Sequence, residues 1–168
     1  ADSAWTERAT ALAQNAVVSI RVQSYVTIED FFFNIQKIPK KSEGSGVIID
    51  SRGYILTNNH VVKGAEEIMV TLLDGRTFDG RIVGRDPDTD VAVIKISGED
   101  LPPACIGDSN QLKKGQFVLA IGNPFGLEST VTLGIISGFE RDIQVDENTR
   151  IERLIQTDAA INPGNSGG

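Results

Sequence analysis

The chain has 168 residues, of which 40% are hydrophobic and 23% charged, enough apolar material for one sizeable globular domain or two small half-domains sharing an interface. Its formal net charge of -7 repels phosphate backbones, and its basic residues are scattered apart from the Lys40-Lys41 pair, so nucleic acid is not an expected partner. No apolar stretch reaches the roughly 18 to 20 residues needed to cross a bilayer as a helix. A lone cysteine, Cys105, excludes an intrachain disulfide and leaves the redox compartment open.

The opening segment Ala1-Asp2-Ser3-Ala4-Trp5 has neither the basic flank nor the apolar core of a signal peptide, so the sequence reads as a soluble, mature or trimmed form. Helix formers fill Thr6 to Gln14, with Ser3 placed as a cap and Trp5, Ala9, Leu12 and Ala16 on one face, which predicts a short helix. Beyond it, brief β-branched runs alternate with Gly, Asp and Asn punctuation, the pattern of an all-β barrel or sandwich. Strands are expected at Val17 to Val22, Gly46 to Ile49, Tyr54 to Thr57, Ile68 to Leu72 and Phe78 to Val83. Four more follow at Val91 to Ile96, Phe117 to Ile121, Thr130 to Ile136 and Leu154 to Gln156.

Asp50-Ser51-Arg52-Gly53 and Leu73-Asp74-Gly75-Arg76 are hairpin turns, because glycine supplies the positive φ that tight turns require. Gly98 to Leu112, with Pro102-Pro103, reads as a linker between two halves. The expected division is a helical segment at residues 1–16, a first barrel at 17–100 and a partial second barrel at 101–168. Tyr25 to Lys41 and Arg141 to Arg150 fit no strand pattern and read as long loops. Within the first of these, Phe31-Phe32-Phe33 either pins the loop to the core or forms an exposed subunit-contact patch.

Chemistry centres on the last residues, Asn162-Pro163-Gly164-Asn165-Ser166-Gly167-Gly168. Glycines around a serine let its hydroxyl project while backbone N–H groups converge nearby, although Gly164-Asn165-Ser166-Gly167 also suits an ordinary flexible turn. A serine hydroxyl needs a base to act as a nucleophile, and His60 is the only histidine. It ends the run Leu56-Thr57-Asn58-Asn59-His60. The base needs an orienting acceptor in turn, and Asp90, at the mouth of the apolar run Val91 to Ile94, is the best placed carboxylate.

Asp86, Asp88 and Asp90 imitate the start of a calcium loop, but Val91 and Ser97 stand where that loop needs its glycine and its bidentate glutamate. One histidine and one cysteine do not make a zinc site. Neither a metal nor a cofactor is expected. The order His, Asp, Ser, each beside a strand end, is the order used by the chymotrypsin-type barrel.

The segments Gly44 to Ile49, Tyr54 to Val62, Asp86 to Val93, Ala120 to Gly126 and Gln156 to Gly168 resemble the HtrA/Deg serine proteases, and the resemblance runs from about Val17 onward. It implies a chymotrypsin-like double β-barrel, incomplete in its second half here, since the family continues past the serine into further strands and commonly PDZ domains. It implies His60 as general base and acid, Asp90 as its orienter and Ser166 as nucleophile. The N–H groups of Gly164 and Ser166, with Asn165 between them, would form an oxyanion hole, and Ile161 would line an apolar pocket for small or medium aliphatic residues.

The same resemblance implies an ATP-independent endopeptidase of protein quality control, trimeric and periplasmic or otherwise extracytoplasmic, acting on unfolded polypeptides. Tyr25 to Lys41 and Phe139 to Arg150 would be its regulatory loops. The competing reading, from another functional class, is a binding or chaperone module in which the triad is mis-set.

Overall fold

A computed structural model describes residues 4–144 and 150–168. Helix α1 (Ala4–Ala13) leads through a single 3-10 turn at Gln14–Ala16 into strands that number nine among the described residues. They are β1 (Val17–Glu29), β2 (Ile35–Asp50), β3 (Tyr54–Thr57), β4 (Glu67–Thr71), β5 (Thr77–Asp86), β6 (Val91–Lys95), β7 (Phe117–Gly122), β8 (Thr130–Gln144) and β9 (Arg150–Thr157). A one-turn helix, α2 (Asn59–Val62), follows β3.

The first six strands close into a barrel in the order β1-β2-β3-β6-β5-β4, every pair antiparallel. Closure is specified by alternation: Val18, Ile20 and Val22 on β1, Ile68 and Val70 on β4, and Ala92 and Ile94 on β6 all turn inward and are buried, as a period of two demands. Ile48, Ile55, Val61, Val62, Leu72, Ile96 and Leu101 complete the core. Strands β7, β8 and β9 form a separate three-stranded sheet. Together the two sheets give the mostly β, chymotrypsin-like architecture expected from sequence, with the second sheet partial.

The connection across 98–112 is irregular apart from a 3-10 turn at Ser109–Gln111. It is pinned to the first barrel, with Leu101 buried and Ala104 N–H donating to the Ile48 carbonyl at 2.8 Å. Helix α1 lies on the second sheet through Trp5, whose ring sits 5.6 Å from that of Phe117, and in the 3-10 turn that follows it Gln14 Oε1 accepts from Ser129 Oγ at 2.9 Å, just ahead of β8. The expected apolar face is only partly used, because Leu12 is exposed. Ser3 lies outside the described residues.

The largest departure from the sequence reading is Tyr25 to Lys41. This segment is the distal half of a long β1–β2 hairpin, paired in continuous register from Val17↔Val47 out to Glu29↔Ile35. Its residues are mostly exposed, so no burial alternation betrays the strands, and ladder hydrogen bonds rather than a core hold them. Asp30 sets the tip: its carboxylate accepts from Phe32 N–H at 2.8 Å, Asn34 N–H at 2.9 Å and Asn34 Nδ2 at 3.0 Å. Phe31, Phe32 and Phe33 stand at that tip 92%, 78% and 83% exposed, so they do not pin it to the core.

The second expected loop, Arg141 to Arg150, is also partly strand. Arg141 to Gln144 extends β8 and Arg150 opens β9, in the register Gln144↔Arg150; residues 145–149 lie outside the described residues.

Ile94 sits at the crossing of two ladders, opposite both Ile55 and Ile82, and is fully buried. Ile94→Ala should therefore lower the unfolding free energy by about 2–5 kcal/mol, read as a reduced midpoint in urea with the slope unchanged.

Candidate active site

The register between β3 and β6 brings the first two site residues together. Thr57 faces Ala92 in that antiparallel pair, so the chain leaving β3 and the chain entering β6 meet at one end of the barrel. The three residues that leave β3 grip the one that precedes β6. Asn58 Nδ2 and Asn59 N–H both donate to the Asp90 carbonyl, at 2.9 and 3.1 Å. His60 N–H donates to Asp90 Oδ1 at 2.8 Å, and His60 Nδ1 lies 2.7 Å from Asp90 Oδ2.

These contacts hold Asp90 at φ 56, a left-handed conformation that is uncommon outside glycine and tolerated best by Asp and Asn. Backbone strain of this kind persists where the surroundings over-determine it. A carboxylate accepts only, so His60 Nδ1 donates the shared bond, and in the neutral ring Nε2 carries the lone pair. The His60 side chain is 57% exposed and that of Asp90 21%, giving an imidazole open to a reacting partner above a sheltered anion.

Asp86 and Asp88 do other work. Asp86 braces the β5–β6 turn that delivers Asp90, accepting from Thr89 Oγ1 at 2.8 Å and Asp88 N–H at 3.1 Å.

Ser166 comes from the far end of the chain and is placed by backbone contacts. Its carbonyl accepts from Ser45 N–H at 2.8 Å, on β2. A Cβ on Gly44 would meet Val61 Cγ1 at 2.7 Å and the Ser166 carbonyl oxygen at 3.3 Å. The residue after the histidine and the serine backbone thus press on the same glycine. Gly167 lies against the Ser45 carbonyl and the Thr57 hydroxyl, three residues before His60. The serine turn and α2 therefore flank one stretch of β2, although among the described residues no hydrogen bond joins Ser166 Oγ to His60 itself.

Asn162-Pro163-Gly164-Asn165 is a β-turn closed by Asn165 N–H on the Asn162 carbonyl at 3.1 Å. Proline at its second position and Gly164 at φ 94 match a type II turn. Gly168 N–H caps the Asn165 carbonyl at 2.9 Å. The N–H groups of Gly164 and Ser166 have no protein partner among the described residues. Ile161 is exposed and lines, with Ile136, Ile155, Ala159 and Asn165, an apolar groove of ≈ 440 Å³ on the second sheet.

Sequence reasoning missed Asn58 and Asn59 as holders of Asp90, and it missed Ser45 and Asn123. Both of the latter are fully buried, and Asn123 N–H donates to Ser45 Oγ at 2.8 Å. The available signal was a small polar residue inside a strand, in Gly44-Ser45-Gly46, where an apolar one packs better.

Two outcomes follow from this geometry. Gly167→Ala places a methyl on the Ser45 carbonyl and the Thr57 hydroxyl at a residue with φ 88, so the serine turn should detach from β2 and amide protection at Ser45 should be lost in hydrogen exchange. The Thr89 hydroxyl, followed by the N–H groups of Asp88 and Thr89, holds the Asp86 carboxyl below its ordinary value of 3.8. A depressed carboxyl braces the turn fully above the ordinary carboxylate range and releases it as pH falls below that range. Thr89→Val should accordingly raise the Asp86 midpoint in a carboxyl NMR titration.

The family model described as "Trypsin-like peptidase domain" matches residues 44–168. A "Probable periplasmic serine endoprotease DegP-like" of Halomonas elongata is 54% identical over 129 residues, covering 77% of this chain and 27% of that relative. The "Putative serine protease HhoA" of Synechocystis is 47% identical over 172 residues, covering 91% of this chain and 44% of that relative. The solved structure titled "HtrA-type protease AlgW with decapeptide" superposes with TM-score 0.79 at 43% identity, over 96% of this chain and 54% of that one. A second, "HtrA-type protease AlgW with tripeptide", gives 0.80 at 46% identity, over 96% and 48%. The chain thus spans less than half the length of these two curated relatives. With residues 44–168 matched by the family model and both the fold and nearly half the sequence shared with these proteins, the chain belongs to the trypsin-like peptidases and, within them, to the HtrA/Deg serine proteases.

Proposed function

We propose that this chain is the catalytic part of an ATP-independent serine endopeptidase that cuts unfolded or damaged polypeptides in protein quality control. The observation that carries the proposal is the 2.7 Å contact between His60 Nδ1 and Asp90 Oδ2, which fixes the tautomer a serine nucleophile needs. Ser166 Oγ attacks the peptide carbonyl carbon while His60 Nε2 takes the hydroxyl proton, giving a tetrahedral intermediate. Its oxyanion is held by the N–H groups of Gly164 and Ser166, with Asn165 as the spacer between them. His60 then passes its proton to the leaving amine, and the acyl-enzyme is hydrolysed by water activated in the same way. No cofactor takes part.

The apolar groove beside Ile161 suits a small or medium aliphatic side chain before the cut bond. In keeping with the periplasmic relatives, the enzyme works in the periplasm or a comparable extracytoplasmic compartment, as a homotrimer whose full-length form carries a PDZ domain. The exposed Phe31-Phe32-Phe33 tip is the surface best suited to contact another subunit. Residues 1–16, 17–100 and 101–168 are read as helical segment, first barrel and partial second barrel.

Labelling the full-length protein with a fluorophosphonate should modify Ser166, with none in Ser166→Ala and sharply less in His60→Ala. Asp90→Asn keeps a residue that tolerates positive φ and removes the charge, so kcat should fall on the order of 10⁴-fold with the fold intact. Labelling that survives Ser166→Ala overturns the nucleophile. A protein that binds unfolded chains and is never labelled is the binding module instead.

A further inference from the structure

We infer that Ser45 is the positioning residue of the oxyanion turn, an inference that rests on Ser166 being the nucleophile. Ser45 lies on β2 with none of its surface exposed, where an unsatisfied hydroxyl is costly. Every polar group it has is used. Its Oγ accepts from Asn123 N–H at 2.8 Å and donates to the Gly164 carbonyl at 2.8 Å. Its N–H donates to the Ser166 carbonyl at 2.8 Å, and its carbonyl accepts from Thr57 Oγ1 at 2.8 Å.

Two of those bonds decide which way the serine turn faces. Ser45 takes the carbonyls of both Gly164 and Ser166, while Asn165 uses its own N–H on Asn162 and its carbonyl on Gly168. Of the polar backbone groups in 164–166, only the N–H groups of Gly164 and Ser166 then have no protein partner among the described residues. One residue anchors the turn by its acceptors and so leaves two donors for an anion.

The anchor is itself held. Asn123 follows β7, and its own side chain accepts from Gly126 N–H at 2.9 Å, so the hydroxyl is polarised by a donor from the second sheet. Bonds in such a chain reinforce one another. A thiol matches the hydroxyl in shape and is a weak donor and acceptor, which separates hydrogen bonding from volume in a test.

The experiment compares full-length wild type, Ser45→Ala and Ser45→Cys on a fluorogenic peptide with valine before the scissile bond. Alongside, affinity is measured for the matching peptide boronic acid, and for the uncleaved peptide in a Ser166→Ala background. Expected is a loss in kcat of about 10²- to 10³-fold in both variants, KM within about twofold, boronate affinity reduced in parallel and uncleaved-peptide affinity retained. Wild-type kcat in a folded Ser45→Cys, or equal weakening of boronate and uncleaved peptide, overturns the inference. If Ser45→Ala fails to fold, Ser45→Cys carries the test alone, and unfolding of that variant too would mark the role as merely structural. Fluorophosphonate labelling of wild type separates the two layers. Absence of labelling at Ser166 removes the nucleophile and this inference with it, whereas normal labelling with undiminished Ser45 variants removes this inference only.

Discussion

The site depends on the antiparallel register of β3 against β6. With Thr57 fixed opposite Ala92, the residues leaving one strand and entering the other have no choice but to meet, and thirty positions of sequence separation become a 2.7 Å contact. Each component of that register is enforced by burial, since Ile55, Ala92 and Ile94 all point into the core. A slip of one residue would turn those side chains to solvent and carry Asp90 off His60 at the same time. Packing energy and the geometry of the His60–Asp90 pair are thus set by a single constraint.

Asp90 illustrates how such a constraint supports strain. A side chain at positive φ is unfavourable alone, and here it is compensated by hydrogen bonds from three consecutive residues, Asn58, Asn59 and His60. Both asparagines spend donors on the Asp90 backbone, leaving the carboxylate for His60. Orientation of the imidazole is therefore a property of the whole β3 exit and not of one ion pair.

Much of this was legible in the residues themselves. The short β-branched runs located the nine strands among the described residues, and in β1, β4 and β6 inward-facing Val and Ile left the clearest trace. His60 stood out by being unique and Asp90 by standing at the mouth of an apolar strand, and the structure sets the two side by side. What escaped notice lacked those traces. The outer half of the β1–β2 hairpin buries too little to alternate, so paired strands looked like a loop. Asp30 closes that hairpin with its side chain, where a tight Asn-Gly or Asp-Gly turn would have announced it. Ser45 stood just ahead of the strand read at Gly46 to Ile49, and its importance lies in partners at Asn123, Gly164 and Ser166, all more than seventy positions away. Long-range hydrogen bonds to backbone groups leave no periodicity in a sequence.

The Ser45 contacts also govern when the site comes into being. The first barrel contains everything required to pair an imidazole with its carboxylate by the time synthesis has passed Lys95, and its contacts are comparatively local. The turn that brings the hydroxyl must cross back over about 120 residues to dock on β2, a separation that makes it a late event in folding. A nascent chain thus pairs its imidazole with its carboxylate before the serine turn exists to meet them, so the site is assembled in two stages from distant parts of the chain.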